Sequence, residues 1–249
     1  MRRTISLAAA LFAALTLHAA DLTVDEILAR NAAAKGGLEK IHALQSIRMS
    51  GTMAYGPMEA PFVVTKKRPE SVKIDFTVQG MTASQSYDGT TGWAVTPFLG
   101  RKDPEPLSGD DLRLLREQAD FDGPLVDSAK KGHTIELLGS GTIDGTPVYN
   151  LRLVTKEGSE TLVAIDAASF LEIRIEGRRR VQGQEMETET TIGNYQNVDG
   201  LLFAHSIESR VKGTPTAQII TFEKIELNPP VDDAAFRMPE KKAAEAAKP

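Results

Sequence analysis

The chain of 249 residues contains no cysteine and only one tryptophan. Without cysteine it can form no disulfide bond and offers no thiolate as a nucleophile or metal ligand. The fold must therefore rest on its hydrophobic core alone, and the length suffices for one large domain or two small ones. Basic residues are outnumbered by acidic ones, 29 against 34, which gives a formal net charge of −5. A mildly acidic chain has no overall attraction for nucleic acid, so no nucleic-acid partner is predicted.

Motifs for catalysis and for metal or cofactor binding are absent as well. The four histidines, His18, His42, His133 and His205, have no partner at ligand spacing, so no zinc or iron site is predicted. No phosphate-binding loop, dinucleotide fingerprint or serine nucleophile elbow occurs. Glutamates alternate along residues 185–189, and like charges on one strand face favour solvent over a buried acid/base pair. We therefore predict no enzyme activity, no cofactor and no metal.

Long apolar runs are also missing, except at the N-terminus. Met1-Arg2-Arg3 is positively charged, residues 5–17 are almost continuously apolar, and small residues precede Asp21. This pattern is typical of a cleavable signal peptide and is too short for a transmembrane helix. We therefore predict a signal peptide over residues 1–20 and a protein that spans no membrane. No cysteine follows the cleavage site, so the exported protein is expected to carry no lipid anchor.

Two short helical regions are indicated. Thr23 followed by Glu26 forms a capping-box pattern at the start of the first. Gly36-Gly37 should break this helix before it resumes at Leu38, because glycine is unfavourable inside helices. The second region should begin near residues 108–111, whose aspartates suit a helix N-terminus. A further helical turn is expected over residues 125–131.

Most of the remaining chain alternates between apolar and polar residues, which predicts strands with one buried face. Asp-Gly pairs at 88–89, 144–145 and 199–200 separate such runs and favour tight hairpin turns. The pattern predicts about twelve strands, over residues 46–55, 60–66, 71–79, 82–88, 91–97, 133–139, 147–155, 160–166, 170–177, 185–195, 201–210 and 217–227.

So many strands joined by short loops predict a mainly β protein with a few helices. A large antiparallel meander of this size should curve into a half-open barrel, with the helices on its concave side because the outer face is polar. No linker divides the chain, so residues 21–239 are predicted to form a single domain. Residues 240–249 have no side chain larger than alanine to bury and are expected to be a disordered tail.

A series of short motifs resembles a known family. Lys-Arg-Pro at 67–69 precedes an amphipathic strand, followed by Tyr87-Asp88-Gly89, then Trp93, then Pro97-Phe98. This order resembles the LolA family of periplasmic outer-membrane lipoprotein carriers, and the wider LolA-like set of lipid carriers and periplasmic sensor domains. The resemblance covers residues 24–100. The part from 139 to 239 is similar to other bacterial proteins of this fold, although Phe203-Ala204-His205 stands where they usually have a proline.

The resemblance implies a half-open barrel whose helices form a lid over an apolar cavity. It implies that Arg68 is a latch that hydrogen-bonds a lid element, although a solvated turn arginine is the alternative. The predicted cavity lining, for which ordinary core packing is the alternative, consists of Met49, Phe62, Ile74, Phe76, Trp93 and Phe98.

The implied function is a monomeric periplasmic carrier that binds lipoprotein acyl chains or another lipid. The alternative is a periplasmic sensor or protein-binding module of the same fold, which engages an inner- or outer-membrane protein and transports no lipid. A cavity too small for an acyl chain, or a polar one, would favour this alternative.

Overall fold

The computed structural model of the protein describes residues 22–181 and 184–240, with side chains at 179–181 and 184 left aside. The predicted signal peptide at 1–20 and residues 241–249 of the predicted tail lie outside the described residues. Within the described ranges the chain is mainly β, with three α-helices and one large antiparallel sheet.

The helices are α1 Val24–Ala34, α2 Leu38–Ala43 and α3 Gly109–Ala119. The predicted capping box is present: the Thr23 hydroxyl accepts from the Glu26 N–H at 3.3 Å, and the Glu26 carboxylate accepts from the Thr23 N–H at 2.8 Å. Gly37 precedes α2 with a φ of 95°, a conformation that glycine adopts without strain. The further turn predicted over residues 125–131 is present as hydrogen-bonded turns rather than as a regular helix, and the Lys131 N–H donates to the Asp127 carbonyl at 3.0 Å.

Thirteen strands form the sheet. They are β1 Ser46–Tyr55, β2 Met58–Lys67, β3 Ser71–Val78, β4 Met81–Tyr87, β5 Gly92–Thr96, β6 Arg101–Pro106, β7 Thr134–Ile143, β8 Thr146–Val154, β9 Glu160–Asp166, β10 Glu172–Val181, β11 Gln184–Val198, β12 Leu201–Val211 and β13 Ala217–Leu227. The strand that the alternation pattern missed is β6, whose two prolines are tolerated because it lies at an edge of the sheet.

The strand order is β6-β5-β4-β3-β2-β1-β13-β12-β11-β10-β9-β8-β7. The chain therefore builds one meander outward from β1 to the edge strand β6. It then crosses to the opposite edge through residues 107–133, here called the crossover, which contain α3. A second meander returns from β7 to β13, which pairs with β1. The sheet is thus two meanders rather than the single one predicted, and its edges β6 and β7 do not pair, so the barrel is open.

The helices pack on one face of the curved sheet. Leu115 of α3 is buried against the half of the sheet formed by β1 to β4, in a cluster with Phe62 and Val72. Ile27 of α1 is buried against the other half, beside Leu151. Each fully buried side chain of this size contributes about 1.5–3 kcal/mol to folding. These contacts fix the crossover and α1 over the concave side.

On the opposite face, one end of β1 to β5 is covered by residues 229–236, here called the C-terminal segment. Ser46 Oγ donates to the Pro229 carbonyl at 2.6 Å, and Lys67 Nζ donates to the Val231 carbonyl at 2.9 Å. Phe236, which is 1% exposed, ends this segment. Both faces are therefore covered at this end of β1 to β5.

Candidate ligand-binding site

Five of the six predicted lining residues come together on the concave side, but as packed core. Phe62 and Ile74 are 7% and 6% exposed and belong to the cluster that contains Leu115 of α3. Phe76 packs at the edge of this cluster, where its ring centroid lies 5.7 Å from that of Phe98. Met49 also packs against the cluster. None of the six lines either of the cavities described below.

Trp93 does not lie with the other five, and its predicted position on the concave side is wrong. The sheet register aligns Trp93 with Ser86 and Lys73, which alternate with the concave residue Ile74. Its indole Nε1–H donates to the Phe236 carbonyl at 2.8 Å, so its side chain packs beneath the C-terminal segment. Gly92 is the residue of this hairpin that faces α3. The tryptophan is therefore an anchor for the chain end.

Arg68, at the end of β2, holds two elements of the concave side at once. Its Nε and Nη2 donate to the carbonyls of Leu44 and Ile41 at 2.6 and 2.9 Å, at the C-terminal end of α2. Its Nη1 and Nη2 donate to the Asp122 carboxylate of the crossover at 2.8 and 2.5 Å. The guanidinium also lies over the Phe121 ring, 4.5 Å from its centroid. A planar group with five donors suits this arrangement, and lysine could not reproduce it.

Two lysines hold the same part of the crossover. Lys66 Nζ donates to the Asp120 carbonyl at 3.1 Å, at the end of α3, where a cation is favoured by the helix dipole. Lys131 Nζ lies 2.6 Å from Asp120 Oδ1 and donates to the Gly123 carbonyl at 2.8 Å. Burial lowers the pKa of Lys66 to about 8, an effect that the nearby Asp120 partly offsets. The segment from 120 to 123 is thus fixed by polar contacts that could be broken and remade.

A cavity of about 290 Å³ lies on the concave side between the crossover and strands β8 to β11. Its apolar lining includes Leu125 of the crossover and Leu153, Val163, Ile175 and Ile192 of the sheet. Small-molecule cavities in proteins are typically about 300–1,000 Å³ and mostly apolar, with a few polar groups. With about 290 Å³, this cavity lies just below that range.

Several polar groups at the cavity are partnered. Arg116 forms an ion pair with Glu157 at 3.1 Å, and Glu172 is paired with Lys35 and accepts from the Tyr195 hydroxyl at 3.3 Å. Burial, with the neighbouring Glu172 carboxylate, raises the pKa of Tyr195, which therefore stays a neutral donor. Because these polar groups are already paired, a ligand would obtain its binding free energy mainly from contact with the apolar lining.

His133, also at the cavity, is held in its neutral form. Its Nδ1 accepts from the Lys156 backbone N–H at 3.1 Å. Burial lowers the pKa of the imidazole, which disfavours the charged form further. The cavity therefore gains no positive charge from this residue at neutral pH.

A second, polar cleft of about 540 Å³ adjoins the apolar cavity. Glu157, Ser159 and Thr161 line both spaces, so the two are neighbours. Charged side chains dominate the cleft lining, and acidic residues outnumber basic ones: the acids are Asp110, Glu157, Glu160, Glu176, Glu185 and Glu187, and the bases are Arg113, Arg178 and Lys212. An apolar cavity next to a charged cleft is complementary to an amphipathic molecule.

Within residues 22–181 and 184–240, no cluster of histidine and carboxylate side chains is arranged to hold a metal ion. Among the same residues, none of the helices is both long and apolar enough to traverse a bilayer.

The sequence placed the candidate cavity in the wrong half of the sheet. Alternation placed Leu153 and Ile175 on the apolar faces of strands, and both line the cavity. It could not indicate where the concave side is left unfilled, because this depends on where the crossover lies. The crossover packs closely on β3 and β4 through Leu115 and leaves space over β8 to β11.

An open, curved antiparallel sheet with helices packed over its concave side is the LolA-like fold. The chain is similar in structure to a LolA superfamily protein from Nitrosomonas europaea, with a TM-score of 0.61 and 15% identity over 87% of this chain and 98% of that one. A domain from Vibrio parahaemolyticus named as an outer membrane lipoprotein-sorting protein gives a TM-score of 0.59 and 13% identity, covering 86% and 97% of the two chains.

A DUF1329 family protein from Desulfovibrio piger gives a TM-score of 0.61 at 14% identity, over 86% of this chain and 97% of that chain. No protein-family model matches the chain, and neither does any curated protein. At these identities the similarity establishes the LolA-like fold that the sequence motifs indicated, and the fold alone.

Proposed function

We propose that the protein is an exported, periplasmic carrier that binds one acyl chain of a lipid or lipoprotein on the concave side of its sheet. The observation that carries this proposal is the apolar cavity between the crossover and β8 to β11, together with the charged cleft beside it. The acyl chain would occupy the cavity and the polar head the cleft. The LolA-like fold and the lipoprotein-sorting name of one structural neighbour support the same class of ligand.

Burial of the acyl chain supplies the free energy of binding. Each methylene removed from water contributes about 0.8 kcal/mol, so capture needs no covalent chemistry and no cofactor. The cavity volume of about 290 Å³ limits the cargo to one acyl chain at most.

Release of the acyl chain requires a conformation of the protein that has lower affinity for it. Arg68 is proposed as the latch of this change, because it joins the end of α2 to Asp122 of the crossover. Breaking these contacts would free the crossover to move away from β8 to β11 and open the cavity. A receiving lipid or membrane protein would stabilise the open state.

The test is uptake of a fluorescent fatty acid by two matched variants of β11. Ile192 lines the cavity, whereas the next residue, Thr191, is exposed on the outer face. Ile192→Trp should fill the cavity and reduce the affinity about tenfold or more, and Thr191→Trp should bind like the wild type. Equal affinity in both variants would place the ligand elsewhere.

A protein-binding module of the same fold is the second candidate, and the small cavity volume favours it. In that case the wild-type protein would take up neither fatty acid nor acylated peptide. Binding of an acylated peptide but not of its unacylated form would support the carrier instead.

A further inference from the structure

The apolar cavity is elongated and runs along the strands of the second meander. Its sheet lining comes from side chains that alternate on the concave face, Thr161 and Val163 on β9 and Ile175 on β10. The register places Ile175 opposite Val163, and Glu172 opposite Ile165. The cavity lining therefore extends along β9 from the level of Thr161 to the level of Glu172.

The two ends of the cavity differ. At one end Thr161, together with Glu157 and Ser159, lines the charged cleft as well as the cavity, so this end opens to the cleft. At the other end Glu172 lines the cavity but not the cleft. Its strand partner Ile165 packs in the cluster formed with α1 and is 0% exposed. We call this second end, at Glu172, the closed end of the cavity.

A polar network forms the closed end. The Glu172 side chain is only 11% exposed and forms an ion pair with Lys35, the residue that follows α1. The Tyr195 hydroxyl lies 3.3 Å from the Glu172 carboxylate and 2.9 Å from its backbone carbonyl, and donates to both. Separating the members of a buried ion pair leaves an uncompensated charge, which is strongly unfavourable. The closed end is therefore fixed in place.

The distance between the two ends limits the length of a bound chain. Thr161 and Ile165 are four residues apart on β9, which corresponds to about 13 Å at the rise of an antiparallel strand. An extended polypeptide backbone covers about 3.3–3.6 Å in three bonds, so an extended chain advances about 1.2 Å per bond. The cavity can thus hold about eleven bonds of an extended acyl chain, or about twelve carbons.

We propose that the Lys35–Glu172 ion pair limits the chain length of the ligand and makes the protein selective for acyl chains of about twelve carbons or fewer. A longer chain would either press its terminal methyl group against the ion pair or leave methylenes in the charged cleft. In neither position would an additional methylene gain free energy from burial. This inference rests on the proposed function and adds the class of acyl chain.

The experiment measures the affinities of saturated fatty acids of eight to eighteen carbons, by competition with a fluorescent fatty acid and below the critical micelle concentration of each. For the wild type, the affinity should rise about fourfold with each methylene up to about twelve carbons, and then stay level or fall. Lys35→Ala combined with Glu172→Ala removes the ion pair and opens the closed end. In this variant the affinity should continue to rise beyond the wild-type limit.

Lys224→Ala combined with Glu226→Ala is the matched control, because this ion pair of 2.9 Å on β13 lines neither the cavity nor the cleft. It should keep the wild-type limit. If the variant with two alanines at the closed end does not fold, Lys35→Met combined with Glu172→Leu replaces the charges by apolar groups of similar size. This variant should bind fatty acids of fourteen carbons more tightly than the wild type does.

The possible results separate this inference from the proposed function. A wild-type affinity that rises evenly up to eighteen carbons would overturn the length limit and leave the carrier function standing. The same limit in the wild type and in the variants without the ion pair would overturn the role of Lys35 and Glu172. Binding of none of the fatty acids would overturn the carrier function and this inference together.

Discussion

At the scale of single residues, Arg68 makes the contacts on which the concave side depends most. It links the Ile41 and Leu44 carbonyls of α2 to the Asp122 carboxylate of the crossover. The Asp122 side chain is only 9% exposed, so this carboxylate depends on the guanidinium. Removal of one partner of such a pair leaves an uncompensated charge.

Arg68→Leu should therefore lower the free energy of unfolding by about 3–5 kcal/mol, measured by urea denaturation. Arg68→Lys should be intermediate, because it keeps the charge and loses the planar fork. Arg68→Leu combined with Asp122→Leu should recover part of the loss. If Arg68→Leu changed stability by less than about 1 kcal/mol, the contacts would resemble those of an exposed ion pair.

Lys66 should make stability depend on alkaline pH. Burial lowers its pKa to about 8, below its ordinary value of 10.5, so between these values the unfolded chain holds more protons. The free energy of unfolding should then rise as the pH rises from about 8 to about 10.5, by about 1–2 kcal/mol. The full pKa shift of Lys66 would correspond to a larger change in the free energy of unfolding. The expected change is reduced because the side chain is only half-buried.

The measurement is urea denaturation at several pH values for the wild type and Lys66→Met. Below pH 8 the variant should be more stable than the wild type. The difference in their free energies of unfolding should shrink as the pH rises from about 8 to about 10.5. A difference that stays constant with pH would show that the Lys66 pKa is not lowered.

At the scale of elements, the pairing of β1 with β13 joins the two meanders. A bulge between Ser50 and Gly51 interrupts this pairing. A β-carbon at Gly51 would lie 1.8 Å from the Thr221 carbonyl oxygen, which is backbone and cannot move aside alone. Gly51 is therefore required by the close approach of the two strands.

Gly51→Ala should lower the free energy of unfolding by about 2–4 kcal/mol, since the strands must separate to admit the methyl group. Gly193→Ala on β11 is the matched control, because a β-carbon there would meet nothing within 4 Å. Its effect should stay within about 0.5 kcal/mol. Thermal and urea denaturation of both variants would check this, and similar effects in the two would contradict the steric reason.

The sequence predicted the strands and helices better than it predicted on which face of the sheet each side chain lies. Alternation and Asp-Gly turns predicted every strand except β6, and the capping box at Thr23 marked the first helix. Trp93 was misplaced because both faces of β5 are buried, one beneath α3 and the other beneath the C-terminal segment. In such a strand the pattern of burial no longer distinguishes the concave face from the outer one.

At the scale of the whole molecule, the LolA-like fold was predictable from the order of short motifs, but the position of the cavity was not. The motifs around Arg68 correspond to turns and strands, and these are shared by proteins of this fold. The space over β8 to β11 arises from contacts between distant segments, such as Leu115 of the crossover with β3 and β4.

The whole chain, residues 21–239, is proposed to act as one domain in which the crossover covers a site built from the second meander. Its concave side would hold the acyl chain and its charged cleft the polar head. The cavity and the cleft share part of their lining, but Ile192 lines only the cavity and Lys212 only the cleft, so the two can be changed separately.

The most direct test of acyl-chain binding is native mass spectrometry of the protein purified gently from the cells that express it, followed by extraction of bound lipid. We expect a population that carries one acylated molecule per chain in the wild type and in Thr191→Trp, and a bare chain in Ile192→Trp. A bare wild-type chain that also takes up no added phospholipid or acylated peptide would contradict the carrier function.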